Sequence, residues 1–274
     1  MMQNTESQVR ALLNLIQDDD LKVASLAMEQ FLKLEKGLTD RLLAEHQEAA
    51  DPRLRHRIHQ LSGILQRRRS RLEFAHSMNS QKMGIWEGLC RINSVYDLRC
   101  NQENLESETE KLITEMMISQ PTALPQVAAV MREHRFSVPE ETMVDIELYL
   151  VESVLESRIG SAAVLCGLTH HLASQAGWRG TVVLHEGRFC LIDRQDNLLD
   201  PSADWGISKL ETRGLIHPCA PRDLWLAVLT QLFLVALVDG HLRDLYHFGY
   251  LLTALDDSDM TILPSPLGAG ISQP

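Results

Sequence analysis

The chain has no Cys-x-x-Cys pair, no basic-then-apolar leader, no apolar run of bilayer length and no excess of positive charge. Its five cysteines, Cys90, Cys100, Cys166, Cys190 and Cys219, are scattered. Without close pairs they do not suit a structural zinc site. An odd, dispersed set without a secretion signal predicts reduced thiols in a cytoplasmic protein. The opening residues, MMQNTESQVRALL, carry none of the features of a signal peptide. The longest apolar run, Leu224 to Val238, has 15 residues with polar members inside, short of the ~20 that a membrane helix needs. A buried helix is expected there, and no membrane association. The formal net charge of −11 argues against nucleic acid, whose phosphates are bound by Lys and Arg. The one basic run, RRRSR at Arg67–Arg71, reads as a solvated helix face, with an acidic partner surface as the alternative. His56 and His59 share a helical face but neighbour arginines, which disfavour a cation, so no metal site is expected. No pattern points to a cofactor.

What is present falls into three segments of a 274-residue chain. Residues 1–80 show helical spacing: Leu12, Leu15 and Ile16, then Val23, Leu26, Ala27 and Phe31. Asp18–Asp20 and Asp51-Pro52 sit at breaks, where a carboxylate can accept free backbone N–H groups of a following helix. Leu54, Ile58, Leu61 and Ile64 mark one further face. The phrases DDDLKVASLA and AADPRLRHRI read as two copies of a helix pair and resemble HEAT-type repeats, which bury a continuous face by stacking.

Residues 85–213 read as helices followed by short strands. IWEGLCRI, ESETEKLITEMMIS and LPQVAAVMREHRF are helical. DIELYLVESVLESRIGSAAVLCGLTHHLASQAGW reads as two helices broken at Ile159-Gly160. TVVLHEGRFCLID reads as a tight hairpin turning at Glu186-Gly187, where glycine supplies a positive φ. NLLDPS is a short strand ending at Asp200-Pro201. Residues 220–257 form two helices meeting at Asp239-Gly240. The tail, 258–274, is rich in Pro, Gly and Ser and is expected to be disordered. The fold class expected is α+β, mainly helical, with a small antiparallel sheet.

The order of parts in residues 85–255 resembles the transglutaminase-like superfamily, and within it the bacterial SirB-type branch. DIELYLVESVLESRIGSAAVLCG, EGRFCLID, NLLDPS and VDGHLRDLYHFGYLLTAL stand where that branch has its helix, hairpin, Asp-Pro and closing tetratricopeptide-like helical hairpin. The resemblance implies a papain-like core and a Cys-His-Asp triad, in which a thiolate at a helix N-terminus attacks an amide carbonyl and the Asp orients the histidine. Carried over, the nucleophile place falls on Val164, the histidine place on Arg188, and the Asp is kept as Asp200. The resemblance therefore implies a degenerate triad.

Displaced chemistry is the alternative. Cys166 lies two residues beyond Val164, about 200° round the helix, and is expected to face away and pack as a small hydrophobe. Ser161 reads as a helix N-cap. In the hairpin, His185 opposes Arg188 and Val183 opposes Cys190, so a rearranged Cys190-His185-Asp200 cluster is conceivable on one face. An Arg188–Asp200 salt bridge is the favoured expectation, since Arg pairs with carboxylate but cannot serve as a base. His170 and His171 point about 100° apart, one toward the hairpin and one toward solvent. Trp178 and Trp205 are core or cleft-lining, and Asp204-Trp205-Gly206 is placed as a lip over the site. The expected function is non-covalent binding of a protein or peptide partner, with Arg188, Asp200, His185 and Trp205 as binding residues. A cysteine-dependent hydrolase or acyltransferase is the alternative, and a self-associating structural subunit the third reading. The acidic balance favours a basic partner segment.

Overall fold

The structure, a computed structural model, describes residues 2–31, 43–44, 48–78, 83–97, 100–139, 145–210, 216–256, 258 and 263. The chain divides into two compact units, Met1–Leu72 and Glu73–Pro274.

The first unit holds α1 (Met2–Ile16), α2 (Leu21–Phe31) and most of α3 (Pro52–Met78). The aspartates act as the sequence suggests. Asp20 Oδ1 accepts from the Lys22 N–H and Asp51 Oδ1 from the Arg53 N–H, so each Asp phrase relieves orphan donors where a helix begins. The phrases are also tied together: Arg53 pairs with Asp19, and Arg57 donates to the carbonyls of Ile16 and Asp18. Val9, Leu12, Ile16, Phe31, Ile58 and Leu61 build the core. Three residues expected on apolar faces lie outside it: Leu15, Leu26 and Ile64 are 43%, 61% and 39% exposed. On α3 the buried stripe runs Leu54, Ile58, Leu61, Leu65. That spacing keeps a 3.6-residue period, and Ile64 falls about 100° off it. The first helix of the second repeat copy, near residues 38–47, lies largely outside the described residues.

The second unit is α+β and mainly helical. It contains α4 (Ile85–Tyr96), α5 (Gln102–Ser119), α6 (Leu124–Glu133), a 3-10 turn (Ile146–Tyr149), α7 (Val151–Ser157) and α8 (Ala162–Gln175). Five strands follow: β1 (Gly180–His185), β2 (Arg188–Asp193), β3 (Asn197–Asp200), β4 (Gly206–Lys209) and β5 (Ile216–Pro218). They form one antiparallel sheet in the order β4-β3-β2-β1-β5. The β1–β2 turn sits at Glu186-Gly187, both with positive φ of 49° and 78°, the left-handed pair that matches strand twist in a two-residue turn.

Alternation gives the sheet two apolar faces. Val182, Leu191 and Leu199 join the main core with Val164, Cys166 and Leu168 of α8. Val183, Cys190, Ile192 and Leu198 form a separate cluster with Leu210 and Ile216. α9 (Pro221–Asp239) and α10 (Leu242–Asp256) meet at Gly240, φ 70°. Leu224, Trp225, Leu229 and Phe248 belong to the same main core, so residues 220–257, expected as a separate hairpin domain, share one unit with 85–213. α9 is 19 residues, long and apolar enough by length and composition to cross a membrane. One face of it is core, and Trp225 Nε1 donates to Ile85 O at 3.0 Å. That contact requires Gly88: a Cβ there would lie 2.1 Å from Trp225 Cε2. The tail at 258–274 falls almost wholly outside the described residues.

Candidate functional site

α8 starts where Ser161 caps it, its Oγ accepting from the Val164 N–H at 3.4 Å. The chain enters through Arg158, left-handed at φ 63°, and the bridge of Ile159 to Ser137. This is the helix start at which the resemblance puts a nucleophile. Val164 there is fully buried and has no group to attack with.

The hairpin register pairs His185 with Arg188 and Val183 with Cys190. Arg188 Nη1 lies 2.9 Å from Asp200 Oδ2 and Nη2 lies 3.8 Å from Glu186 Oε2. The other Asp200 oxygen accepts from the Ser202 N–H at 2.8 Å. The carboxylate is thus engaged by a guanidinium and a backbone donor. His185 is half-buried on the same face.

The cysteines are held as thiols. Burial raises Cys190 to about 12, with Asp200 adding to the rise and Arg188 opposing it. Cys166 is fully buried and its pKa lies well above the ordinary thiol value, through desolvation first and then Cys190, Asp200 and Cys219. α8 is buried around nearly its whole circumference from Ala163 to Thr169, so Cys166, about 200° from Val164, is packed in protein as a small hydrophobe. Cys166 belongs to the main core and Cys190 to the smaller cluster. Neither lies at a helix N-terminus, and the Arg188 charge near Cys190 is outweighed by burial.

Trp205 is corrected too. It offers no surface to a ligand: it is fully buried and its Nε1 donates to Phe136 O at 2.6 Å. Asp204 and Trp205 are both left-handed, at φ 50° and 57°, an uncommon state for a bulky residue. Arg132 fixes it, donating to the carbonyls of both at 2.8–3.0 Å. The segment is an inward plug rather than a lip.

His170 and His171 divide much as their 100° offset suggests. His170 meets Gly180 at the start of β1. His171 stacks on Trp86, ring centroids 5.3 Å apart. Both are held below the usual imidazole range by burial.

Sequence reasoning missed a groove between α4 and α5. Its volume is about 440 Å³, and Trp86 and His171 lie among its lining residues. Leu105, Thr109, Ile113 and Cys90 line its apolar parts, and Glu87, Glu106 and Glu110 its rim. Cys90 registers the surroundings: burial, then Cys100, Glu106 and Glu87, push its thiol to about 12. A second cavity of about 420 Å³ is lined by Asp97, Asp145, Glu147, Glu152, Asp239 and Asp244. In sequence these carboxylates look like ordinary solvated helix faces and loops, and only folding gathers them. Among the described residues, no group of three or more His, Cys, Asp or Glu is placed to hold a metal ion. Comparison of the chain with protein-family models, curated proteins and solved structures finds no match in any of the three.

Proposed function

We propose that this is a cytoplasmic protein- or peptide-binding module that carries out no covalent turnover, built on a degenerate transglutaminase-like core. The observation that carries the reading is the occupation of the three triad places. Val164 is buried and apolar, Arg188 stands where the resemblance puts the histidine, and Arg188 and the Ser202 N–H engage Asp200. The thiols support it as well. With burial raising Cys190 to about 12, the group is a thiol at neutral pH. The unit has acid-lined cavities, which suits a partner held by charge and apolar contact.

The test is a thiol-directed electrophile, a peptide vinyl sulfone, with every cysteine followed by mass spectrometry in the native full chain. The expected result is no adduct at neutral pH until the protein is unfolded. Rapid, saturable modification of Cys166 or Cys190 overturns the reading and makes the chain a cysteine hydrolase or acyltransferase with a displaced nucleophile.

A further inference from the structure

The groove between α4 and α5 has a definite length, floor and rim. Trp86, Cys90 and Ser94 follow one another at four-residue steps along α4, and Leu105, Thr109 and Ile113 do the same along α5. Gln102 Nε2 donates to Ser94 Oγ at 3.4 Å, which closes one end. Trp86 to Ser94 spans about 12 Å at 1.5 Å per residue. That holds three to four residues of extended chain at about 3.3 Å each.

The spacing of the rim matters more than its total charge. Glu106 and Glu110 are exposed and one turn apart, about 6 Å along the axis of α5. In an extended peptide, alternate residues point the same way and lie about 6.7 Å apart. Two basic side chains at alternate positions therefore meet two successive carboxylates. The residue between them turns to the floor of Leu105, Thr109 and Ile113. Lys and Arg suit the rim further because their aliphatic stems cover apolar surface while the charge stays wet.

Arg91 also lines the groove, and its guanidinium reaches toward Glu73, 3.9 Å away.

Resting on the reading of the protein as a binding module, we infer that this groove takes a short extended peptide segment in which Lys or Arg alternates with apolar residues. The basic side chains lie against Glu106 and Glu110 and the apolar ones on the floor. His171, kept below the usual imidazole range by burial and by His170, adds no opposing charge at neutral pH.

The experiment is fluorescence anisotropy on the full chain with fluorescein-labelled, end-blocked Lys-Leu-Lys-Leu, Ser-Leu-Ser-Leu and Glu-Leu-Glu-Leu. The expected result is binding of the first alone, weakened at least about tenfold by Glu106→Lys with Glu110→Lys and weakened by added salt. Glu133→Lys with Asp256→Lys makes the same change of net charge at exposed sites outside the groove, and leaves binding within about twofold. Helix content and thermal midpoint establish that both double variants fold. Equal loss in the two double variants, or equal binding of the serine peptide, overturns the inference. So does displacement by spermidine at equal charge, which would mark a polyamine site. Failure of all three peptides overturns the groove assignment alone, because the vinyl sulfone experiment judges the non-covalent reading independently.

Discussion

Arg188 Nη1 sits 2.9 Å from Asp200 Oδ2, joining β2 to the end of β3. The two partners are unequal in depth: the Arg188 side chain is 51% exposed and that of Asp200 is 13%. The pair is a partly solvated latch, and its worth lies mostly with the acid.

The latch gives the first prediction. Arg188→Ala costs at most about 1 kcal/mol, because an exposed guanidinium is well screened. Asp200→Ala costs about 1–2 kcal/mol, because it also removes the acceptor for the Ser202 N–H at the start of a 3-10 turn. Urea denaturation of the two variants should rank them in that order. The reverse ranking would place the energy in the ion pair.

Placing a thiol where the resemblance puts a nucleophile should bring no chemistry. Val164→Cys puts a sulfur where the side chain is fully buried, and Arg188 holds the position that the resemblance assigns to histidine. The new thiol is expected to resist iodoacetamide in the native state, with a stability loss of about 1 kcal/mol for the changed packing. Fast alkylation at neutral pH would show that the start of α8 opens to solvent.

Two helical glycines should respond differently to alanine. At Gly88 the added carbon meets the Trp225 ring at 2.1 Å, while at Gly167 it meets the Leu89 Cδ1 methyl at 2.6 Å. A leucine methyl can turn aside; an indole whose Nε1 is bonded to Ile85 O cannot. Gly88→Ala is therefore expected to lower the thermal midpoint more, by the equivalent of about 1–3 kcal/mol or above. Equal midpoints would mean that α9 shifts freely along α4.

Stability should fall on both sides of neutrality. His170 and His171 have folded pKa values depressed by burial, so below about 6.5 the unfolded chain binds protons that the folded chain refuses. Stability is full above that pH and declines as the pH drops toward the folded values. Cys90, Cys100 and Cys190 are raised to about 12. Above about pH 8.5 the unfolded thiols ionise first, and stability is lost as the pH climbs toward 12. Urea midpoints from pH 5 to 10 should trace this dome. His171→Gln should flatten the acid limb, and an unchanged limb would assign it elsewhere.

Local features were the legible ones. The hairpin at Glu186-Gly187, the break at Gly160, the cap at Ser161 and the αL stop at Gly240 each depend on a few adjacent residues. The Arg188–Asp200 pair was legible because strand alternation fixes which side chains share a face. Other features depended on partners remote in sequence. Leu15, Leu26 and Ile64 are as apolar as their buried neighbours, and only the phase of the stripe leaves them outside. Trp205 turns inward because Arg132, 73 residues away, takes hold of its backbone. The acid-rimmed groove exists because α4 and α5 both pack on α8 and leave a gap between them, which neither helix reveals alone.

The sheet ends in very short strands. β4 has four residues, and β5 has three and finishes at Pro218, which has no N–H to offer. Such stubs expose little unpaired backbone and resist edge-to-edge growth. A second chain that came to lengthen the sheet would find about 10–14 Å of ladder on either flank, too little to template an amyloid-like stack. At these two edges, open though the sheet is, strand-by-strand aggregation has little to build on.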